Sequence, residues 1–301
     1  MSIPWCSELP RFGDPARVTD WLEKQLALCD DDAFARSFAA SCPVSGLNCN
    51  AYRHRKLDVD GETLLVAIRF KGGDVAQPFV DLLAWTGEPC PGWIVAIEEA
   101  FAPFAPQAIR FRWSRDTPPP WPGEVDQHVF AGPAAGASHA SVVPACDLSW
   151  FDEFRRSFEV WRTSSLLGLE VSPSDPGELN ACLDDGHIVV ATDGDKFLGL
   201  AACLWRTERA FDGWSIIEEF VVPEAQGRGL GTALQRGLMH LLPPGDLVWG
   251  TIHGTNAASQ ATAARCGREP VETWWFVPLG IPNKQTAETT SQQRRPRKPT
   301  A

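Results

Sequence analysis

The second half of the chain alternates between short apolar runs and segments whose apolar residues recur at helical spacing. Short apolar, β-branched or aromatic runs bounded by turn residues are typical of strands, whereas apolar residues three and four positions apart favour helices. On this basis the predicted strands are residues 187–192, 196–207, 216–222, 246–253 and 272–279. A helix is predicted after the third strand. Another follows the fourth strand, with Asn256 as its N-cap and Gly267 at its end.

The first half shows a similar succession of patterns. Helical spacing covers residues 15–38 with a break at 30–32, strands are predicted at 62–70, 79–85 and 108–113, and a helix at 93–104. Because helix, strands, turn, helix and strand follow in the same order as in the second half, we expect an internal duplication. An unrelated α+β domain is the alternative.

A glycine-rich stretch, Gln-Gly-Arg-Gly-Leu-Gly, occupies residues 226–231 between the strand at 216–222 and the following helix. Glycines let the backbone approach a ligand closely. The first amides of a helix and the positive end of its dipole favour an anion. This pattern indicates a phosphate-binding turn, although a tight strand-to-helix turn without a ligand would use the same residues.

The loop and the elements that follow it resemble the GNAT superfamily of N-acyltransferases over residues 147–280. The resemblance implies an α/β (α+β) fold with a mixed, mostly antiparallel sheet flanked by helices, here duplicated in tandem. It also implies acetyl-CoA as the acyl donor. The implied CoA-binding residues are Phe220, Val221, Val222, Gln226, Gly227, Arg228, Gly229, Leu230, Gly231, Thr232, Asn256 and Ser259.

Two adjacent carboxylates interrupt the apolar strand before the loop and are candidates for a general base. Neighbouring residues of a strand point to opposite faces, so Glu218 and Glu219 cannot both face the same side. A half-buried carboxylate has a raised pKa, which suits proton abstraction. We prefer Glu219, which shares strand parity with Val221. Structural ion pairs with Arg206 or Arg209 are the alternative.

The tyrosine that GNAT enzymes commonly use as the acid is missing. Seven residues after Asn256 stands Ala263, and the only tyrosine of the chain is Tyr52. Water, Ser259 or Cys266 could replace it, or the thiolate could leave unassisted, or the donor could be an aminoacyl-tRNA. Of the histidines, His187 is expected to be structural or solvated, and His253 is weighed as an acceptor contact.

Charge and composition limit the classes of partner that the protein is expected to bind. The net charge is −11, and the basic residues after position 280 outnumber the acidic ones, so the body of the protein is more acidic still. An acidic body speaks against general nucleic-acid binding and is compatible with a small-molecule amine as acceptor. The nine cysteines lack the spacing of a zinc site, and no apolar run is long enough to span a membrane. We therefore expect a cytoplasmic protein without a metal.

Four segments are predicted along the chain: a degenerate GNAT-like or other α+β domain (1–130), a linker of small residues (131–147), a GNAT acyltransferase domain (148–280) and a disordered tail (281–301). The predicted function is N-acyl transfer, most simply N-acetyl transfer, from acyl-CoA to a small amine. The alternatives are an aminoacyl-tRNA-dependent amide-forming transferase and a non-catalytic CoA-binding module.

Overall fold

The fold is given by a computed structural model that describes residues 11–115, 117–165, 167 and 171–279. Its strands are β1 (Arg55–Val59), β2 (Glu62–Phe70), β3 (Pro78–Trp85), β4 (Ala108–Trp113), β5 (Glu124–Pro133), β6 (Val142–Pro144), β7 (Ile188–Asp193), β8 (Lys196–Glu208), β9 (Phe211–Val221), β10 (Leu247–His253) and β11 (Glu269–Pro278). Its α-helices are α1 (Pro15–Ala27), α2 (Asp32–Ser41), α3 (Pro91–Ala100), α4 (Phe151–Ser164), α5 (Pro176–Asp184), α6 (Leu230–His240) and α7 (Ala257–Arg265).

The described strands form one sheet in the order β1-β2-β3-β4-β11-β5-β10-β9-β8-β7-β6. In the first half, β1, β2 and β3 pair antiparallel, α3 follows, and β4 lies parallel to β3. The second half repeats this order with β7, β8, β9, α6 and β10. The tandem duplication and the mostly antiparallel sheet predicted from the sequence are therefore confirmed.

The last strand of each half lies in the sheet of the other half. Strand β11 pairs antiparallel with β4 of the first half, and β5 pairs antiparallel with β10 of the second half. The two exchanged strands also pair with each other at the centre. Because β4 and β10 would otherwise be open sheet edges, the exchange satisfies backbone groups that each half leaves unpaired by itself.

The segment predicted as a linker is partly sheet. Strand β5 continues to Pro133, and β6 at Val142–Pro144 forms the outer edge next to β7. The small residues of this segment serve close packing: a Cβ on Gly132 would lie 2.5 Å from the carbonyl oxygen of Gly267. Small, non-periodic residues here reflect tight contact with the end of α7 rather than a free connection.

Helices cover both faces of the sheet in the second half. Helices α4 and α5 pack on one face, through Phe154, Phe158 and Leu179 against Leu200 and Phe220. Helix α6 covers the other face with an apolar stripe that includes Leu234 and Leu238. No helix in the described ranges is long and apolar enough to cross a bilayer. The predicted tail, 281–301, lies outside the described residues.

Candidate active site

A cleft opens where two parallel strands diverge. Strands β9 and β10 pair only at Trp214–Val248 and Ser215–Trp249. Directly beyond, β9 carries an extra residue at Ile217, since Ile216 and Glu218 pair with the adjacent residues Cys203 and Ala202 of β8. Such a bulge bends a strand and interrupts its ladder. The two strands therefore bound a cleft of about 950 Å³ that reaches the start of α6.

The glycine loop forms one end of this cleft. Gly227 (φ 76°) and Gly229 (φ 80°) adopt left-handed backbone conformations that favour glycine. Gly229 is the N-cap of α6 and has no side chain to accept from the first amides of the helix. The Gln226 side chain donates to the carbonyl oxygen of Val221 at 3.0 Å and ties the loop to the end of β9. The helix start is thus open to an anion in the cleft.

Most of the residues predicted to bind CoA come together here. Those that line the cleft are Phe220, Val221, Gln226, Gly227, Gly229, Leu230, Gly231, Thr232, Asn256 and Ser259. Two differ. Arg228 is exposed and outside the cleft lining. The amide of Val222 donates to Leu198 at 2.9 Å and its side chain is buried against α4 and α5, so Val222 offers a ligand neither group.

Asn256 lines the cleft, but its side chain already has a structural task. Its Oδ1 accepts from the amide of Ser259 at 3.1 Å, which caps α7. This is the N-cap predicted from the sequence. The residue therefore fixes where α7 begins at the cleft wall, while Ser259 turns toward the cleft from the first turn of that helix.

Glu218 and Glu219 point to opposite faces of the sheet, as strand parity predicts. Glu218 is 8% exposed and lies on the face covered by α4 and α5. Its carboxylate accepts from the amide of Ser174 at 2.8 Å and from the amide of Glu219 at 3.1 Å. Burial raises the pKa of Glu218 to about 7, and these amide bonds only partly oppose that rise.

Glu219 lies on the opposite face, beneath the start of α6. Its carboxylate accepts a hydrogen bond from the side-chain amide of Gln235, and a Cβ on Gly231 would lie 3.1 Å from its Oε1. Burial raises its pKa, while Gln235 and the nearby Arg268 oppose the rise. The two arginines considered as partners pair elsewhere, Arg206 with Glu178 and Arg209 with Glu272, so that alternative is wrong.

The position of the missing tyrosine offers no acid. Ala263 is fully buried against Phe130 and Ile252. Tyr52 is buried in the first half, where its hydroxyl accepts from the amide of Val44 and donates to the carbonyl of Cys42. Burial raises the pKa of the Cys266 thiol, which makes it a poorer acid. Of the replacements considered on the chain, Ser259 lines the cleft.

The two histidines behave differently. His253 lines the cleft, and its Nδ1 lies 2.9 Å from Oγ1 of Thr255 and accepts from the amide of the same residue at 3.3 Å. This leaves its other ring nitrogen, Nε2, as the protonated one in the neutral tautomer. His187 packs against the ring of Trp214 at 4.2 Å and does not line the cleft.

Several cleft residues were not predicted from the sequence, and Arg268 is the buried charged one among them. Helix α7 ends in a Schellman motif in which the amide of Gly267 donates to Ala264 and the amide of Arg268 donates to Ala263. The residue at this second position after the cap is commonly apolar. An arginine there, 3% exposed and lining the cleft, is a departure that the sequence already displays directly after the helix-ending glycine.

The corresponding region of the first half is filled. Where β9 and β10 diverge, the matching strands β3 and β4 carry Trp85 and Trp113, whose rings stack 6.1 Å apart at 17°. Fully buried Trp93 of α3 packs against Trp85 and Trp121. These tryptophans pack against one another on the elements that match those around the cleft, so the two halves differ at this point.

The sequence of the second half matches a known protein family. Residues 148–267 match the model of the acetyltransferase (GNAT) family. The C-terminal half of the chain is a GNAT acetyltransferase domain. Members of this family take their acyl group from acyl-CoA, and the glycine loop with its open helix start fits a pyrophosphate. No curated protein matches the chain.

One solved structure shows the same fold over a larger part of the chain, and others are similar to it. The GCN5-related N-acetyltransferase from Sphaerobacter thermophilus is 14% identical, with 87% of this chain and 91% of that chain covered and a TM-score of 0.51. A GNAT-family acetyltransferase from Colwellia psychrerythraea is 10% identical, with coverage of 92% and 99% and a TM-score of 0.49. A tandem GNAT protein from the clavulanic acid biosynthesis pathway is 15% identical, with coverage of 90% and 98% and a TM-score of 0.41.

Proposed function

We propose that this protein is an N-acyltransferase that moves an acyl group, most simply acetyl, from acyl-CoA to the amine of a small molecule. The observation that carries the proposal is a single cleft that joins an anion-binding helix start with a buried carboxylate whose pKa is about 7. A general base works best when its pKa lies near the operating pH.

The donor would enter from the face covered by α6. Its pyrophosphate would take the amides at the start of α6, and its pantetheine arm would run along the edge of β9 that β10 leaves free beyond Ser215. The bulge at Ile217 interrupts the ladder at the same place. A backbone amide freed by a bulge is a suitable donor to a thioester carbonyl.

The acceptor would enter from the opposite face, under α4 and α5. Glu218 lies on that face and is held by two backbone amides, so its position is fixed without a cation beside it. Glu219 faces the donor side and is occupied by Gln235. We therefore assign the base to Glu218 rather than to Glu219, which strand parity alone had favoured.

The first half would serve the second as a support. We propose residues 148–280 as the acyltransferase domain and residues 1–130 as a GNAT-like domain without a CoA site. Strand β5 of the first half contributes Gln127 to the cleft lining. The acidic protein, with a net charge of −11, is suited to a cationic amine.

Calorimetric titration with acetyl-CoA tests the donor. Release of free CoA is then followed with an aminoglycoside, an amino acid, a polyamine and a peptide N-terminus as acceptors. We expect binding of acetyl-CoA and amine-dependent CoA release with one of these classes. Binding without release for any amine would favour a non-catalytic CoA module. Absence of binding, together with transfer from aminoacyl-tRNA, would overturn the proposal in favour of that donor.

A further inference from the structure

Arg268 carries a buried charge that no carboxylate neutralises directly. Its Nη2 donates to Oε1 of Gln235 at 2.8 Å, and its Nε has no hydrogen-bond partner among the described residues. No acidic group in the described ranges lies within ion-pair distance of it. Glu219 compensates the charge only from beyond Gln235, so the guanidinium can still pair with an anion that binds in the cleft.

Gln235 separates the guanidinium from the nearest carboxylate. Its Oε1 accepts from Arg268 while its Nε2 donates to Glu219, so the fully buried amide bridges the two charges. This arrangement fixes the direction of the guanidinium. The unpartnered Nε is fully buried and out of a ligand's reach, so Nη1, which donates to none of the described residues, is the group left for a ligand in the cleft.

The guanidinium lies where the cleft begins. A Cβ on Gly250 would lie 3.2 Å from the carbonyl oxygen of Ile216 and 3.6 Å from Nη1 of Arg268. These two residues directly follow the last pairs of β9 and β10, and the bulge at Ile217 comes next. Arg268 therefore reaches the point where the strands separate. Glu219 lies between Arg268 and the glycine loop.

We infer that Arg268 stabilises the thiolate that leaves when the acyl group is transferred. The inference rests on the proposed function. The amine nitrogen attacks the thioester carbon, the C–N bond forms, and the C–S bond breaks with its electron pair on sulfur. The amine proton goes to Glu218. Arg268 stays a guanidinium and gives up no proton. It supplies charge-assisted hydrogen bonds to the sulfur, in a chain whose Ala263 cannot donate one.

The test compares CoA with desulfo-CoA, which lacks the thiol, on the full chain. The thiol pKa of bound CoA is read from the ultraviolet absorbance of the thiolate, with the desulfo-CoA complex as baseline. We expect the wild-type protein to lower this pKa by one unit or more, equivalent to at least tenfold tighter binding of the thiolate than of the thiol. The Arg268→Met variant should abolish the shift and Arg268→Lys should retain part of it.

The variants are suited to the fold, because the position after the glycine of a Schellman motif commonly holds an apolar residue. Affinity for desulfo-CoA should stay within about twofold in Arg268→Met, which shows that the phosphate site is intact. An unshifted thiol pKa in the wild-type complex would overturn the inference while leaving the proposed function standing. Equal weakening of CoA and desulfo-CoA in Arg268→Met would also overturn it. If the wild-type protein binds neither molecule, the proposed function falls with it.

Discussion

Replacement of Glu218 by Gln should raise stability at alkaline pH while it removes activity. The pKa of this carboxyl rises from the usual 4.5 to about 7 because the side chain is buried. Each unit by which the pKa differs between the folded and the unfolded state corresponds to about 1.36 kcal/mol of stability. The ionised carboxylate therefore costs the folded state about 3 kcal/mol. Glutamine has nearly the same shape and relieves that cost, but it keeps only one oxygen for the two amides of Ser174 and Glu219, so the net gain is smaller.

The effect of Glu218→Gln on the free energy of unfolding depends on pH. Below about pH 4.5 Glu218 is protonated in both the folded and the unfolded state, so the substitution relieves no buried charge there and only loses one amide hydrogen bond. Between pH 4.5 and about 7 the unfolded state ionises first, and the wild-type protein loses free energy of unfolding as pH rises. Above about pH 7 the loss is complete. The stability gain of Glu218→Gln should therefore grow across this window and then level off.

Two measurements check this prediction. Urea denaturation at pH 5 and pH 8 gives the free energy of unfolding, and CoA release with an active amine gives turnover. Turnover should fall by about 10²–10⁴-fold at neutral pH, and the loss should shrink at high pH, where the amine arrives neutral. The control is Glu159→Gln, an exposed residue of α4 that pairs with Arg162. It should change stability by less than about 0.5 kcal/mol.

Full turnover of Glu218→Gln at neutral pH, together with the same change in the free energy of unfolding at pH 5 and at pH 8, would refute both the role of Glu218 as base and its buried charge. Full turnover together with the stability gain would contradict the role of Glu218 as base but not its buried charge. The buried charge would then be real, and amine positioning against the thioester would account for the rate.

Two further predictions concern the donor site. Gly229→Val should lower acetyl-CoA affinity at least tenfold in calorimetry, because glycine is favoured at φ 80° where α6 begins. The control Gly245→Val, at φ 87° in a turn outside the cleft lining, should show a similar loss of stability with normal affinity. Equal affinity losses in the two variants would contradict the phosphate-site assignment. Titration should also give one acetyl-CoA per chain, because stacked Trp85 and Trp113 fill the matching region of the first half, and a stoichiometry of two would show that they move aside.

Local patterns predicted most of the second half, in which β7, β8 and β9 pair with near neighbours in sequence. The predicted strands 187–192 and 196–207 correspond to β7 and β8, and Asn256 and Gly267 bound α7. Strand β5 escaped prediction because its sequence mixes charged and polar residues with a terminal Gly-Pro, and its partners β10 and β11 lie more than 100 residues later. No local signal marks such pairing, and the close-packed small residues at its end resemble a linker.

The candidate site was predictable as far as backbone geometry determines it. The glycine loop and the opposite orientation of Glu218 and Glu219 follow from turn chemistry and strand parity. The groups that oppose the burial-raised pKa of each glutamate come from residues distant in sequence. Ser174 reaches Glu218 from the loop before α5, and Gln235 reaches Glu219 from α6. Arg268 could have been noticed as a charge at a position that is commonly apolar.

The exchange of β5 and β11 also sets the order in which the chain can fold during synthesis. Thr273 pairs with Trp113, which leaves the ribosome 160 residues earlier, and Val248 pairs with Gly132. The edge of β4 therefore stays uncovered until β11 has been made. A ribosome that stalls before β11 would release a protein with an open strand edge, which favours aggregation. Completion of the last strand is thus the step that makes both halves native.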